Sequence, residues 1–285
     1  MALPALDLLA DSGNALTLVG RRWARDLFAA YSWPAVSLSG SRVDRIRALR
    51  NSRHAAGLLL TNSFGSALEF RMSGIAAIGY AREGRSWLLR RAVAVNATDH
   101  MVEYYHRLAA TYVGTSPPVP RNLRLRVDDQ ARQRGSDLLK LYGVTAKYVV
   151  LCPVAVGFHH GRVKAWNGFT RLSRELLASG VAVVAMPGPN ESATVRSALP
   201  DTIVLPESDV ATFAAVLAGA RLVVANDSGP GHLAAAVGVR LISVFGVTEP
   251  EKTRPWGSNA TLVGSSRGWP AYEEIRTAVD AALGA

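Results

Sequence analysis

Toward the C-terminal end an apolar strand runs directly into a small polar turn, and the turn opens an alanine-rich helix. The stretch reads Val223-Val224-Ala225-Asn226-Asp227-Ser228-Gly229-Pro230-Gly231-His232-Leu233-Ala234-Ala235-Ala236. Few folds accommodate such a junction. In α/β proteins it is where free backbone N–H groups and the positive end of a helix dipole converge, and so where a phosphate is held. Asp227, Ser228 and His232 add side-chain chemistry at the same place. A second strand follows and ends in its own polar turn, Val244-Phe245-Gly246-Val247-Thr248-Glu249-Pro250. Two neighbouring strand ends that both carry polar turns mark a site as well as a fold.

Strand-like and helix-like segments alternate along the rest of the chain, which predicts parallel sheets covered on both faces. In the first half the strands fall at 15–20, 35–38, 57–61 and 76–80, with helices at 22–31, 42–50 and 66–73 and a long amphipathic stretch at 100–113. Gly114-Thr115-Ser116-Pro117-Pro118-Val119-Pro120 then breaks all periodicity and reads as a linker. In the second half a helical lead-in at 128–142 precedes strands at 148–153, 181–186, 202–205, 222–225 and 241–245. Helices at 169–179, 192–199, 210–218 and 231–237 lie between and after them, and a last helix spans 272–283. The predicted organisation is an N-terminal Rossmann-like domain at 1–114, a linker at 115–127 and a C-terminal Rossmann-like domain at 128–285. The first element, at 3–10, is a helix with no strand ahead of it. A doubly wound domain opens with a buried strand and a tight loop, so the reading is of a first domain that begins one strand late and leaves apolar sheet edges exposed.

Composition narrows the functional classes. The chain has 285 residues, of which 49% are hydrophobic, enough for two cores, and no apolar run is long enough to cross a bilayer. The opening Met1-Ala2-Leu3-Pro4 lacks the basic region and cleavage site of a signal peptide, so the expected location is cytoplasmic. A lone cysteine, Cys152, excludes an internal disulfide framework and a cysteine-based zinc site. The formal net charge is +10, and only four of the 32 basic residues are lysines: Lys140, Lys147, Lys164 and Lys252. Such a balance suits an anionic partner, whether a nucleotide diphosphate, a phosphorylated glycolipid or an anionic membrane surface. Arginines spread over solvated surfaces are the alternative. The arginines are scattered and no aromatic platform accompanies them, which argues against nucleic acid.

The motifs together resemble one family. Asn226–His232, then Phe245–Pro250, then Arg254-Pro255-Trp256-Gly257 resemble the D-[ST]-G-x-x-H, F-G-x-T-[DE]-P and x-P-W-G patterns of glycosyltransferase family 9, the ADP-heptose:lipopolysaccharide heptosyltransferases. In the first half Leu60-Thr61-Asn62-Ser63-Phe64-Gly65-Ser66-Ala67 resembles that family's L-P-N-S-F-x-S-A. Ile78-Gly79-Tyr80 with Arg85-Ser86-Trp87-Leu88-Leu89 resembles its G-[YW]-x-x-x-x-R-x-x-L-L, and His100-Met101-Val102-Glu103 its H-x-[VA]-E. The likeness implies a GT-B architecture, an α/β fold in which two Rossmann-like domains face one another across a cleft and a nucleotide sugar sits mostly on the C-terminal one. It also implies inverting transfer of a heptose from ADP-heptose to the inner core of lipopolysaccharide, with no cofactor or metal. The implied partners are the nucleotide-sugar donor, an anionic glycolipid acceptor and, peripherally, the inner-membrane surface.

Carried over position by position, the resemblance makes Lys164, in Arg162-Val163-Lys164-Ala165-Trp166, the K-x-W lysine that neutralises the diphosphate or the departing ADP. Asp227, Ser228, Gly229 and His232 become the nucleotide-sugar turn, with Asp227 a catalytic candidate alongside Lys164. An N-cap aspartate and a packed core histidine are the bland alternatives for Asp227 and His232. Glu191 and Ser208 fall where the family meets the adenosine, Thr248 where it meets the donor sugar, and Glu249 stands beside it. Arg82 and Arg85 are the candidates for an anionic acceptor, against the alternative of solvated arginines. Cys152, His159 and His160 have no metal-site spacing.

The sequence also departs from the family. Met1–Leu6 matches only the tail of the family's opening G-D-x-[VL]-x-x-x-P-A-[LT], so its aspartate, the candidate general base, falls upstream of residue 1. A start assigned too late, loss of the opening strand together with turnover, and a different acid as base are the three explanations. On the second, the chain is a non-catalytic nucleotide-binding remnant. A family member with another donor or acceptor is a further alternative. Gly231, Val154 and Tyr104 stand where the family often has methionine, glycine and arginine.

Overall fold

The computed structural model describes residues 1–155, 158–159 and 161–284. The chain divides into two compact units, residues 1–25 with 31–120, and residues 26–30 with 121–285.

The first unit opens with α1 (Leu3–Asp11), β1 (Leu18–Gly20) and α2 (Trp23–Leu27), the last of which ends among residues of the second unit. It continues with β2 (Ala35–Ser37), α3 (Arg42–Asn51), β3 (Ala56–Leu59), α4 (Phe64–Ser73), β4 (Ala76–Tyr80), β5 (Arg91–Val93) and α5 (Met101–Val113). Its strands form two parallel sheets, β1-β2 and β3-β4-β5. Among the described residues no strand pairs with both β1 and β3. Just ahead of those two strands, the Nε2 of His54 lies 2.7 Å from the Thr17 hydroxyl.

Burial here comes chiefly from a helix pair. Leu3, Leu6 and Leu9 recur every third residue on α1, and Val102 and Ala109 lie on the buried side of α5. Ala5, Leu9 and Ala109 close one cluster, flanked by Leu16, Leu58 and Tyr105. The start of α5 is fixed by a capping box: the Val102 N–H donates to His100 Nδ1 at 3.1 Å and the His100 N–H to the Glu103 carboxylate at 2.9 Å. The H-x-V-E stretch is therefore a helix-starting device. An acceptor Nδ1 places the proton of a neutral His100 ring on Nε2.

The second unit runs α6 (Asp129–Leu141), β6 (Tyr148–Cys152), β7 (Phe158–His159), β8 (Arg162–Val163), α7 (Phe169–Ala178), β9 (Ala182–Ala185), α8 (Ser192–Ala198) and β10 (Ile203–Val204). Then follow α9 (Val210–Gly219), β11 (Leu222–Asn226), α10 (Gly229–Val237), β12 (Leu241–Phe245), α11 (Pro250–Thr253), β13 (Ala260–Gly264) and α12 (Tyr272–Leu283). Six strands make one parallel sheet in the order β10-β9-β6-β11-β12-β13, and β7-β8 is a separate antiparallel pair.

Every residue of β6, β11 and β12 is buried, as their apolar runs require in a sheet covered on both sides. Alternate side chains serve opposite layers. Val149, Leu151, Val224, Ile242 and Val244 meet Leu172 and Leu176 of α7 and Ile275 and Val279 of α12. Val150, Val223, Ala225 and Leu241 meet Val216 and Leu217 of α9 and Ala234 and Ala235 of α10. Each valine, leucine or isoleucine among them contributes roughly 1.5–3 kcal/mol by leaving water. The predicted strands are present, those at 76–80 and 241–245 with the same bounds, that at 222–225 one residue longer and the others shorter, and β5, β13 and the β7-β8 pair are additions that the reading of the sequence lacked.

Candidate functional site

All six strands of the second sheet run the same way, so the loops that follow their C-terminal ends gather along one edge. Read across the sheet, the loop after β10 carries Ser208, that after β9 carries Glu191, and that after β6 carries Lys164. The turn after β11 carries Asp227 and Ser228 and runs into Gly229, and the turn after β12 carries Thr248. Chain order reverses between β6 and β11: β9 and β10 lie on one side, β11 to β13 on the other. Open α/β sheets hold their ligands in the crevice at such a reversal, because the flanking loops diverge there.

Lys164, just past β8 in the connection that follows β6, and Asp227, directly after β11, come together: the lysine Nζ lies 4.0 Å from Asp227 Oδ2. The same oxygen accepts a 2.6 Å hydrogen bond from the Thr248 hydroxyl. On the other side, His232 Nε2 is 4.0 Å from Asp227 Oδ1. Asp227 itself is largely buried, its side chain 10% exposed, while Lys164 and His232 each keep 23% in contact with solvent. A carboxylate held by a hydroxyl, with an ammonium and an imidazole spaced beside it, is an arrangement that can order both a charged and a hydroxylated ligand.

Local sequence explains the placement. The Asp227 N–H donates to the Val244 carbonyl at 3.1 Å, extending the β11–β12 ladder into the turn. Ser228 is the extended N-cap of the nine-residue α10, with Pro230 in its first turn. Its hydroxyl turns back to the Asn226 carbonyl, 3.1 Å away, and makes no cap to the helix. The first-turn N–H groups of α10 thus face the site without a serine cap over them. Gly246 has a separate reason: a Cβ there would run into the ring of Trp269, so only glycine lets that ring lie against the turn leading to Thr248.

One residue at this edge was not singled out from the sequence. Asn226, fully buried, accepts a hydrogen bond from the Trp166 N–H at 3.0 Å and donates one to the Pro153 carbonyl at 2.7 Å. Its partners are 60 and 73 residues away in sequence, so no local pattern betrays them.

The remaining candidates separate. Glu191 is the residue before α8, and its carboxylate accepts from the Gly188 N–H at 3.0 Å, closing the turn. It still acts on the sheet edge: the thiol of Cys152, at the end of β6, is pushed up to about 12 by burial and then by the Glu191 charge. That thiol is neutral at ordinary pH and no nucleophile. Ser208 is half-buried just before Asp209, the N-cap of α9. In the first unit Arg82 is exposed.

Arg85 corrects the sequence reading. It is fully buried, and its guanidinium donates to the carbonyls of Thr61 at 2.6 Å, Tyr80 at 3.2 Å and Ser63 at 3.3 Å, and to the Asn62 side chain at 3.3 Å. It fastens the loop after β3 and presents no charge to an acceptor. Tyr104 reaches the same loop through its hydroxyl, 3.0 Å from the Asn62 side-chain oxygen. Among the described residues no group of three His, Cys, Asp or Glu side chains could hold a metal ion. His160 lies outside the described residues.

A parallel sheet with basic, acidic and helix-start groups gathered at its reversal point, joined in one chain to a second parallel α/β unit, defines a GT-B protein built of two Rossmann-like domains. Residues 42–279 match the sequence model of glycosyltransferase family 9 (heptosyltransferase), and the chain belongs to that family, whose members are glycosyltransferases. It is 46% identical over 71 residues to lipopolysaccharide heptosyltransferase 1 of Pseudomonas aeruginosa, a match that covers 25% of this chain and 20% of that protein. To lipopolysaccharide heptosyltransferase 2 of Escherichia coli K12 it is 27% identical over 270 residues, covering 86% of this chain and 74% of the relative. The first of these matches thus spans about a fifth of the relative's own length. Among solved structures, the E. coli ADP-heptose lipopolysaccharide heptosyltransferase II superposes with a TM-score of 0.81 at 22% identity, over 99% of this chain and 93% of that one, a likeness of fold.

Proposed function

We propose that this chain transfers a heptose from ADP-heptose to a hydroxyl of inner-core lipopolysaccharide, with inversion and without a metal or other cofactor. The observation that carries the reading is the meeting of Lys164 and Asp227, 4.0 Å apart at the reversal of the second sheet and beside the start of α10.

In this mechanism the Lys164 ammonium takes up charge that develops on the departing diphosphate as the anomeric bond breaks, a task suited to a compact cation on a flexible stem. The uncapped N–H groups at Ser228 and Gly229 face the same phosphates. Asp227, held by Thr248, receives hydroxyls of the donor sugar, and His232 orients the carboxylate from its other side. Glu191 and Ser208, on the loops after β9 and β10, lie toward the adenosine. Rate enhancement then comes chiefly from positioning and fixed charge. On the acceptor side Arg82 is the exposed cation for an anionic glycolipid. The net charge of +10 favours a peripheral approach to an anionic membrane face from the cytoplasm, and no helix among the described residues is long and apolar enough to cross a membrane.

The test is a transfer assay with ADP-heptose and heptose-deficient lipopolysaccharide. Lys164→Ala lowers kcat about a hundredfold or more, the scale of removing one group that stabilises transition-state charge. Unchanged turnover in that variant removes Lys164 from the mechanism. ADP binding without any product from the unsubstituted chain reduces it to a nucleotide-binding protein.

A further inference from the structure

Asn226 ties together the two ends of the segment that carries Lys164. Pro153 follows directly on β6, and Trp166 lies two residues beyond Lys164. One side-chain amide holds both, through the Pro153 carbonyl and the Trp166 N–H. The next peptide bond along β11 leads to Asp227. A single buried residue is therefore the chain neighbour of Asp227 and is hydrogen-bonded two residues from the lysine.

The task is chemically narrow. One group must accept from an N–H and donate to a carbonyl at once, at a site with no exposure to water. Asparagine does both; aspartate in its ionised form only accepts, and leucine does neither. The Trp166 backbone is steadied from the other side as well. Its indole is 4% exposed, lies edge-on to Phe169 at 5.3 Å between centroids, and stacks with Tyr272 at 6.0 Å. With the ring anchored in the core and the N–H anchored on Asn226, the chain two residues earlier has little freedom.

We propose that Asn226 is the positioning residue that sets the Lys164 ammonium against Asp227 and so aims it at the diphosphate. The inference rests on the reading of Lys164 given above. It predicts that Asn226 acts on nucleotide affinity through Lys164 alone.

A double-substitution cycle read by calorimetric titration with ADP tests this, with thermal melts confirming that each variant is folded. Asn226→Ala weakens ADP binding about tenfold when Lys164 is present and less than twofold in the Lys164→Ala background. An equal loss in both backgrounds, or no loss in either, overturns the positioning role while leaving Lys164 as a nucleotide ligand. If Lys164→Ala alone leaves ADP affinity unchanged, the reading of Lys164 fails and the inference falls with it. Where Asn226→Ala does not fold, Asn226→Thr replaces it in the same cycle, since its hydroxyl can keep one of the two hydrogen bonds at a strand position.

Discussion

The two units are built from the same kinds of segment, yet their sheets differ in depth. In the second unit six strands form one continuous sheet, and three of its strands are buried at every residue. In the first the strands fall into a pair and a trio, β1 is half-buried along its length, and β2, β3 and β5 each have residues in solvent. The work of cohesion passes to the α1–α5 pair and to a polar-aromatic knot. Tyr80 and Tyr104 stack at 3.7 Å, the Tyr80 hydroxyl donates to the Tyr104 carbonyl at 2.6 Å, and Arg85 and Tyr104 both reach Asn62. Charged and polar side chains of the first unit hold its loops. In the second unit the buried sheet carries the cohesion and a few polar side chains such as Asn226 tie the loops to it, which leaves Lys164 and His232 at the edge with part of their surface in solvent. Functional groups are affordable where the scaffold beneath them is rigid without their help.

That contrast can be broken most forcibly from the second unit's core. Leu151 is 1% exposed on β6, so Leu151→Ala costs about 2–5 kcal/mol and lowers the melting temperature of the second unit. A loss under 1 kcal/mol would mean that the sheet is not the source of rigidity. Next in size is Arg85→Met, which keeps the volume and removes every donor. The Thr61 carbonyl then loses the Arg85 partner, while the Tyr80 carbonyl keeps the Arg82 N–H at 2.9 Å, so the cost is about 1–3 kcal/mol in all. The expected result is a loosened first unit, read by faster proteolysis around Thr61–Ala67, with ADP affinity untouched. A change in ADP affinity would show that the two sets of loops are not independent.

The smallest expected effect is a pH slope. His106 is 4% exposed on α5, and burial holds its imidazole below the ordinary histidine value. Above about pH 6.5 the ring is neutral in both folded and unfolded chains. Below that, the unfolded chain binds a proton that the folded ring resists, so stability is full at neutral pH and declines as pH falls. His106→Gln should flatten the decline in melts of the first unit between pH 7 and pH 5. An unchanged slope assigns it to other groups.

The difference in depth also explains what could be read from the sequence. Strands buried on both faces are apolar along most of their length, so Tyr148–Cys152, Leu222–Asn226 and Leu241–Phe245 announced themselves, and with them the edge that carries Asp227 and Thr248. The short strands Arg91–Val93 and Ala260–Gly264 are partly exposed and lack that signature. Arg85 shows the limit for polar residues. Its identity suggested an anion, but its burial depends on carbonyls more than twenty residues upstream, at Thr61 and Ser63. Asn226 shows the same limit from the other side. At a strand end asparagine reads as a turn former, and only the folded chain shows that its amide spans two distant segments.

The central claim is that a nucleotide sugar binds at the reversal of the second sheet, between the ends of β6 and β11. Hydrogen exchange in the presence and absence of saturating ADP addresses it directly. The account predicts slowed exchange at the first turn of α10 and at the Gly246–Glu249 turn, with the loop after β3 unaffected. Slowing confined to the first unit, or none anywhere, would contradict it.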